Sequence, residues 1–394
     1  MSKRTQIIVL GAGFAGLQAT KAFLKRAPDA ELTLIDTNTY ATMLPALPDL
    51  LSGRVPRPAV TRELADIFPQ RVRLVQDEIT SMDFTAKLIT GTKETYRYDY
   101  LVVATGSKPA FFGFAPKSGT LHTLHSYPAA EALRAELTHK ARDKNHATLV
   151  VVGAGYTGLE AAACANHGYT ELRSGLSILV VEKASDILTF LSAKGRQKVR
   201  TYLQSINVEL RTGVSLAELS STQATLSDGT TIDNPVVCWT AGMQGANEHI
   251  AGSFEQTRDR RLETNEYLQL PDHPNVFIAG DSAALSDGAS VLRRAVNFAY
   301  YSGSRAADNC VRIMKGRKPR PFHPVDLGWV IPLGDMSLGK VFGVIPVGGK
   351  LGLRIHYFMS GFRHFGLVEA WEFIKTALYL GRAADRPDQE GSPE

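Results

Sequence analysis

The sequence predicts an α/β fold of two doubly wound, Rossmann-like domains followed by an amphipathic C-terminal region, and three observations carry that expectation. An apolar strand runs into a glycine-rich turn in "IIVLGAGFAG", Ile7 to Gly16. The pattern returns in "VVGAGYTGLE", Val151 to Glu160, and the strand after each turn ends in an acid, Asp36 and Glu182. At 394 residues the chain is also too long for one ordinary domain.

Residues 6–10 read as a buried strand, and "AGLQATKAFLKRAP" carries apolar residues at helical spacing before a proline stop. "AELTLID" then closes a βαβ unit at Asp36. "YDYLVVATGSKP" is a strand ending in a turn at Thr105 and Gly106, and a less regular connection leads to residue 147. There the plan restarts, with strand "ATLVVVG", a glycine turn, an alanine-rich helix from Leu159 and strand "LSILVVE" ending in Glu182. "PVVCWTAGM" echoes "YLVVATGSK". "NVFIAGD", Asn275 to Asp281, is a third strand-to-turn segment, and the helical stretch "RRAVNFAYYSGSRAADNCVRIMKG" follows it. Proline-rich "RKPRPFHP" marks a boundary. The closing "RPDQEGSPE" has the composition of a disordered tail.

Hydrophobic residues make up 44% of the chain and charged residues 21%, with no apolar run of roughly eighteen residues, so membrane contact is expected to be peripheral. The N-terminal apolar run flows into the glycine turn instead of a small-residue cleavage site, and reads as strand one, not a signal peptide. A net charge of +5 is spread along the chain without a dense basic tract, which argues against nucleic acid. Three distant cysteines, Cys164, Cys238 and Cys310, fit a reducing compartment and exclude a CxxC metal site or a closely spaced redox pair. The ten histidines show no metal-ligand spacing.

The glycine turns carry the chemistry. In GxGxxG the first glycine permits a tight turn, the second lets backbone approach a pyrophosphate, and the third lets the helix pack on the strand. Gly11, Gly13 and Gly16 fill those positions in the first turn, and Gly153, Gly155 and Gly158 in the second. The helix N-terminus then offers free N–H groups and partial positive charge to phosphate. Asp36 and Glu182 stand where a carboxylate takes ribose hydroxyls. An acid there favours NADH over a 2′-phosphorylated donor, although Lys183 beside Glu182 leaves NADPH open.

The ordered set "GAGFAG", "ATG", "GAGYTG", "WTAG" and "FIAGD" resembles the two-dinucleotide-binding-domain flavoproteins, over residues 5 to about 315. Within them, "GYTGLE", "CWTAGM" and "LGWVIPLGDMSLGKVFG" look most like type II NADH dehydrogenases, single-subunit NADH:quinone oxidoreductases. The resemblance implies an FAD-binding domain over 1–112 and 265–325, an inserted NAD(P)H-binding domain over 113–264, a C-terminal region over 326–384 and a tail over 385–394. It places FAD against Gly11, Gly13, Phe14, Ala15, Gly16, Asp36, Ile79, Ala104, Thr105, Gly106, Gly280 and Asp281. NADH would lie against Gly153, Gly155, Tyr156, Thr157, Gly158, Glu182, Ala241 and Gly242. Asp281 would hold the ribityl chain of FAD; read by itself, it is also a helix N-cap before "SAAL".

The resemblance further implies hydride transfer from NADH to FAD, with the nicotinamide over one face of the flavin, and delivery of two electrons to a membrane quinone. The family carries glutamines on the helix after "AGD" where this chain has Asn297 and Tyr301, both able to contact a quinone. Glu160 either serves only the helix dipole or orders the nicotinamide and helps proton delivery. Lys375 either lies near the same site or snorkels at a membrane surface. From Lys350 to Arg382, Leu353, Tyr357, Phe358, Phe362, Trp371 and Phe373 mix with Arg354, Arg363 and Lys375, which suits an interfacial helix on the cytoplasmic side of the cell membrane or a homodimer contact. Cys164 reads as a core cysteine, because sulfide:quinone chemistry needs paired thiols. The competing functions are a soluble NAD(P)H reductase with a protein or oxygen as acceptor, a sulfide-type quinone reductase, and a redox-sensing FAD/NADH binding protein.

Overall fold

The computed structural model describes residues 4–68, 71–115, 121–142, 146–169, 175–363 and 365–380; Arg382 and the expected tail lie outside them. Two compact units emerge. The first takes the chain up to Ala41, Arg62–Lys108 and Met243–Leu327. The second takes Thr42–Thr61, Pro109–Gly242 and the chain from Gly328.

A six-stranded sheet forms the first unit, in the order Gln269–Leu270, His273–Ile278, Tyr100–Val103, Gln6–Leu10, Glu31–Asp36 and Arg73–Gln76. Its inner pairs are parallel, with Val9 level with Leu34 and Val102, and only the first pair is antiparallel. Parallel strands covered on both faces read as unbroken apolar runs, hence "IIVL" and "YLVV". The first turn helix, Phe14–Arg26, packs closely on Val296–Met314, where a Cβ added at Gly303 would lie 2.0 Å from the Ala15 carbonyl oxygen.

The second unit repeats the plan in an all-parallel sheet ordered Leu121–Thr123, Pro235–Trp239, Ala147–Val152, Leu176–Glu182 and Val208–Thr212. Alternate residues serve two cores. Leu149, Val151, Ile178, Val180 and Cys238 join the second turn helix, Tyr156–Gly168, whereas Val150, Val152, Leu179, Val181 and Trp239 face Leu216, Leu219 and Leu226. An antiparallel meander, Gly328–Leu333, Met336–Val341 and Ile345–Gly348, adds Ile331 and Leu333 to the first of these cores. Helices Gly349–Phe362 and Leu367–Leu378 follow and pack on each other.

Two local expectations are corrected. The connection toward residue 147, expected to be irregular, contains a helix, Tyr127–Arg142, whose Ala130, Leu133, Leu137 and Ala141 form a buried stripe at helical spacing among charged neighbours. "SAAL" is not a helix: Gly280–Ser282 makes one 3₁₀ turn and Ala283 is extended, so Asp281 caps nothing.

Candidate active site: two nucleotide cradles and a buried polar cluster

The first glycine of each turn is fixed by backbone. Gly11 has φ of 94° and Gly153 φ of 104°, and a Cβ there would lie 2.3 Å from the Ala104 carbonyl oxygen or 2.7 Å from the Ala241 Cα. Those contacts seat Ala104 with Thr105 and Gly106 beside the first turn, and Ala241 with Gly242 beside the second. At the third glycine a Cβ would strike the first glycine's carbonyl oxygen, 1.8 Å away for Gly16 and 1.9 Å for Gly158.

The middle glycines behave oppositely. A Cβ on Gly13 or Gly155 would meet nothing within 4 Å, so each glycine faces open space where the backbone leaves room for a pyrophosphate. Behind each turn the carboxylate clasps the loop. Asp36 Oδ2 accepts from the Ala12 N–H at 2.6 Å and Glu182 Oε2 from the Ala154 N–H at 2.8 Å. The residues present therefore fit two dinucleotides, one per unit.

In the first unit, Gly280 reaches the first turn helix, since a Cβ on it would lie 2.9 Å from that of Ala15. The Gly106 N–H donates to Ser282 Oγ at 2.7 Å, and Ser107 Oγ donates to Asp281 Oδ2 at 3.0 Å. Desolvation raises the Asp281 carboxyl above its ordinary range against the pull of Arg294. Phe14 is buried, while Ile79 starts a short strand, Ile79–Asp83, and is half-buried. In the second unit, Tyr156 stacks on Phe190 at 5.1 Å, and Trp329 meets both rings edge-on. The neighbouring Thr157 side chain is exposed.

Glu160 leaves the surface entirely. It is 8% exposed, and Asp49 and Arg54, at 1% and 2%, share its surroundings in the second unit. They arrive on the short helix Asp49–Ser52 and the turn after it, which approach the second turn helix where Gly168 lacks a Cβ: one there would lie 1.9 Å from the Leu51 carbonyl oxygen. Tyr357 donates its hydroxyl to Asp49 Oδ1 at 2.6 Å. Arg54 donates from Nη1 to the Gly334 carbonyl at 2.6 Å and from Nη2 to Asp335 at 3.1 Å. Burial first, then the Asp49 charge, pushes Glu160 well above the carboxylate range. Burial also raises Asp49 to about 6, opposed by Tyr357 and Arg54. His356 is held down at about 4 by burial and by Arg54 and Arg363, and is neutral. Sequence reading missed Asp49, Arg54 and His356; an acid and a base inside the apolar "LPDLLSGRV" were the only signal.

The remaining candidates are dispersed. Asn297 is buried and donates its side-chain amide to the Val325 carbonyl at 2.8 Å, while Tyr301, on the same helix, is 39% exposed with its ring edge-on to Tyr300. Lys375 pairs with Glu372 on its own helix at 2.6 Å. The amphipathic stretch divides cleanly: Leu353, Tyr357 and Phe373 are buried, whereas Phe358, Phe362, Leu367, Val368 and Trp371 are exposed. Among the described residues no helix is long and apolar enough to cross a membrane. All three cysteines are free and buried, and burial raises their thiols, Cys238 to about 12, which leaves them poor nucleophiles.

The chain is similar to several known proteins. Type II NADH:quinone oxidoreductase of Staphylococcus aureus (strain NCTC 8325 / PS 47) is 27% identical over 379 residues, covering 88% of this chain and 92% of the relative. Among solved structures, NDH2 from Plasmodium falciparum in complex with NADH superposes with a TM-score of 0.85 at 14% identity, covering 98% of this chain and all of the other. The sulfide:quinone oxidoreductase of Aquifex aeolicus superposes at 0.76 with 18% identity, covering 94% and 92%. Residues 5–306, which hold both glycine turns and the Gly280–Ser282 turn, match one family throughout, and the chain belongs to it: the pyridine nucleotide-disulphide oxidoreductases.

Proposed function

We propose that this chain is an FAD-dependent NADH:quinone oxidoreductase, in which hydride passes from NADH to FAD and two electrons pass on to a quinone. The observation that carries the reading is the pair of cradles, each with an open middle glycine and a clasping acid, because two nucleotides bound at once need two such sites. FAD supplies the two-electron redox chemistry. The protein's own part is to bind and orient. Gly13, Phe14, Ala15 and the helix N-terminus would hold the FAD pyrophosphate, Asp36 a ribose, and Thr105, Gly106 and Asp281 the remainder of the cofactor. Gly155, Tyr156 and Thr157 would hold the pyrophosphate of NADH. Glu182 would take its ribose hydroxyls and repel a 2′-phosphate, with Lys183 leaving some use of NADPH.

Asn297 and Tyr301 are the proposed quinone contacts, and Lys375 is assigned to the membrane surface. The basic side chains Lys350, Arg354 and Lys375 accompany exposed Leu367, Val368 and Trp371 on the C-terminal helices, a composition suited to the interface of anionic lipid. A peripheral position on the cytoplasmic side of the cell membrane is part of this proposal; a homodimer through the same face is the competing outcome.

Anaerobic addition of NADH to purified protein is expected to bleach a bound flavin, and a short-chain quinone to restore it. Absence of flavin absorbance, or a flavin that NADH leaves unchanged, would overturn the assignment. Repeating the titration with NADPH measures donor preference. Flotation with anionic vesicles, compared with a chain cut before Lys350, tests the membrane face; equal flotation removes it, and a change of mass in solution points to the dimer.

A further inference from the structure

We propose that Phe112 is a contact for the nicotinamide half of NADH, its ring held against Gly242 as one wall of the second cradle. The proposal deepens the NADH:quinone reading above and rests on it. All the residues involved belong to the second unit.

The first observation is a broken local rule. Phe112 has φ of 50° and Gly113 φ of 84°, and the Phe114 N–H donates to the Phe111 carbonyl at 2.8 Å, so the chain turns through two successive left-handed residues. Glycine fits such a place without cost and asparagine or aspartate often takes the first position, whereas a bulky aromatic residue there strains the backbone. Phe112 is also 77% exposed, so burial of its ring does not offset the strain. Strain of this kind gathers at ligand-binding sites, where the surrounding structure holds it in place.

The second observation is how firmly the turn is held. Phe114 stacks on Trp239 with ring centroids 5.2 Å apart, Phe111 meets the same indole at 5.6 Å, and the indole N–H donates to the Ala110 carbonyl at 3.0 Å. The Ala110 N–H donates in turn to the Gly242 carbonyl at 3.0 Å. Phe111, Phe114 and Trp239 therefore pack together, and Phe112 is turned outward. Its ring still has a fixed seat: a Cβ on Gly242 would lie 2.5 Å from Cε2 and 2.6 Å from Cζ, so the ring rests where only a glycine leaves room.

The third observation is where Gly242 stands. Strand Ala147–Val152, which feeds the second glycine turn, lies between Leu176–Glu182 and Pro235–Trp239, with Val152 level with Val181 and Trp239. A dinucleotide crosses such a sheet end with its pyrophosphate at the middle turn and its adenosine ribose at the acid of one neighbouring strand. Glu182 is that acid, so the nicotinamide half runs the other way, past Ala241 and Gly242 beyond the end of Pro235–Trp239. The Phe112 ring is there, with an exposed face open to a flat heteroaromatic group.

Calorimetry on the FAD-loaded full chain, with NAD+ and ADP-ribose as probes, separates the two halves of the dinucleotide. Phe112→Ala is expected to weaken NAD+ binding about tenfold and to leave ADP-ribose unchanged, since only the first carries a nicotinamide. Phe112→Tyr should keep both affinities. Phe112→Gly removes the strain and should melt no lower than wild type, yet lose NAD+ affinity as Phe112→Ala does. In both truncated variants KM for NADH should rise while KM for quinone stays in place. An NAD+ affinity that Phe112→Ala leaves intact, an equal loss for ADP-ribose, or recovery in Phe112→Gly overturns the proposal, the last because backbone shape and not the ring would then decide binding. Vesicle flotation lost in Phe112→Ala with NAD+ binding unchanged assigns the ring to lipid and overturns it too. If wild type binds both probes but NADH never bleaches its flavin, the functional reading falls instead, and the Phe112 result stands on binding alone.

Discussion

The two turn helices start alike and diverge within one turn. Their second glycines have nearly the same backbone, φ −74° and ψ −175° at Gly13 against −76° and −171° at Gly155, and each helix runs for 13 residues. Each is clasped by an acid bonded to the residue after the first glycine. Beyond that, the first helix carries half-buried Gln18 where the second carries Glu160, and it packs on the small residues of Val296–Met314 instead of a polar cluster. The turn's backbone answers to phosphate, which both ligands share. The buried face of each helix answers only to what packs on it, and that is where the units are free to differ.

The strongest way to break this contrast is to remove the charge that only the second helix has beneath it. Arg54→Met is expected to lower the unfolding free energy by about 3–5 kcal/mol at neutral pH, because a buried carboxylate loses its counter-charge. Denaturant titration checks this, and the loss should shrink in acid. Next comes pH itself. Asp49 is raised from 3.8 to about 6, so the folded state binds its proton more tightly than the unfolded chain does. Its contribution is fully present below the unfolded value and is lost as pH climbs through about 6, on the order of 3 kcal/mol in all. In urea titrations from acid to neutral pH, Asp49→Asn should flatten that fall relative to wild type.

The shared part of the comparison is sharpened by Gly16→Ala and Gly158→Ala. Each forces a methyl against a carbonyl oxygen and should cost about 1–3 kcal/mol. The first should yield protein without flavin colour; the second should keep the colour and lose its response to NADH. Colourless protein from both would mean that the turns are not independent sites. Smaller still, Glu182→Gln should reduce preference for NADH over NADPH about tenfold in kcat/KM, or about 1.4 kcal/mol. Gln18→Ala should change thermal stability by no more than about 0.5 kcal/mol.

What could be read from the sequence follows the same division. Glycine spacing dictates a turn through backbone sterics alone, so both cradles and the strands feeding them were legible at Gly11, Gly153, Asp36 and Glu182. The polar cluster was not, because Asp49 and Arg54 lie in a connecting segment and meet Glu160 only through the tertiary fold. Tyr357 misled in another way: within an amphipathic stretch it counts as one more aromatic, yet it is buried with its hydroxyl on Asp49. Lys375 leaves two readings open in the sequence, near Glu160 or at a membrane surface, and its ammonium meets Glu372 three residues before it.

The second unit is assembled from three separated stretches of chain, and the last of them supplies Ile331 and Leu333 to a core begun near residue 50. A ribosome making this protein releases its parts in order, so that core stays open to water while residues 109–242 emerge and closes only after Leu333 is free. Nascent chains paused before that point should hold an exposed apolar face under the second turn helix, making the late meander the step at which chaperone dependence ends.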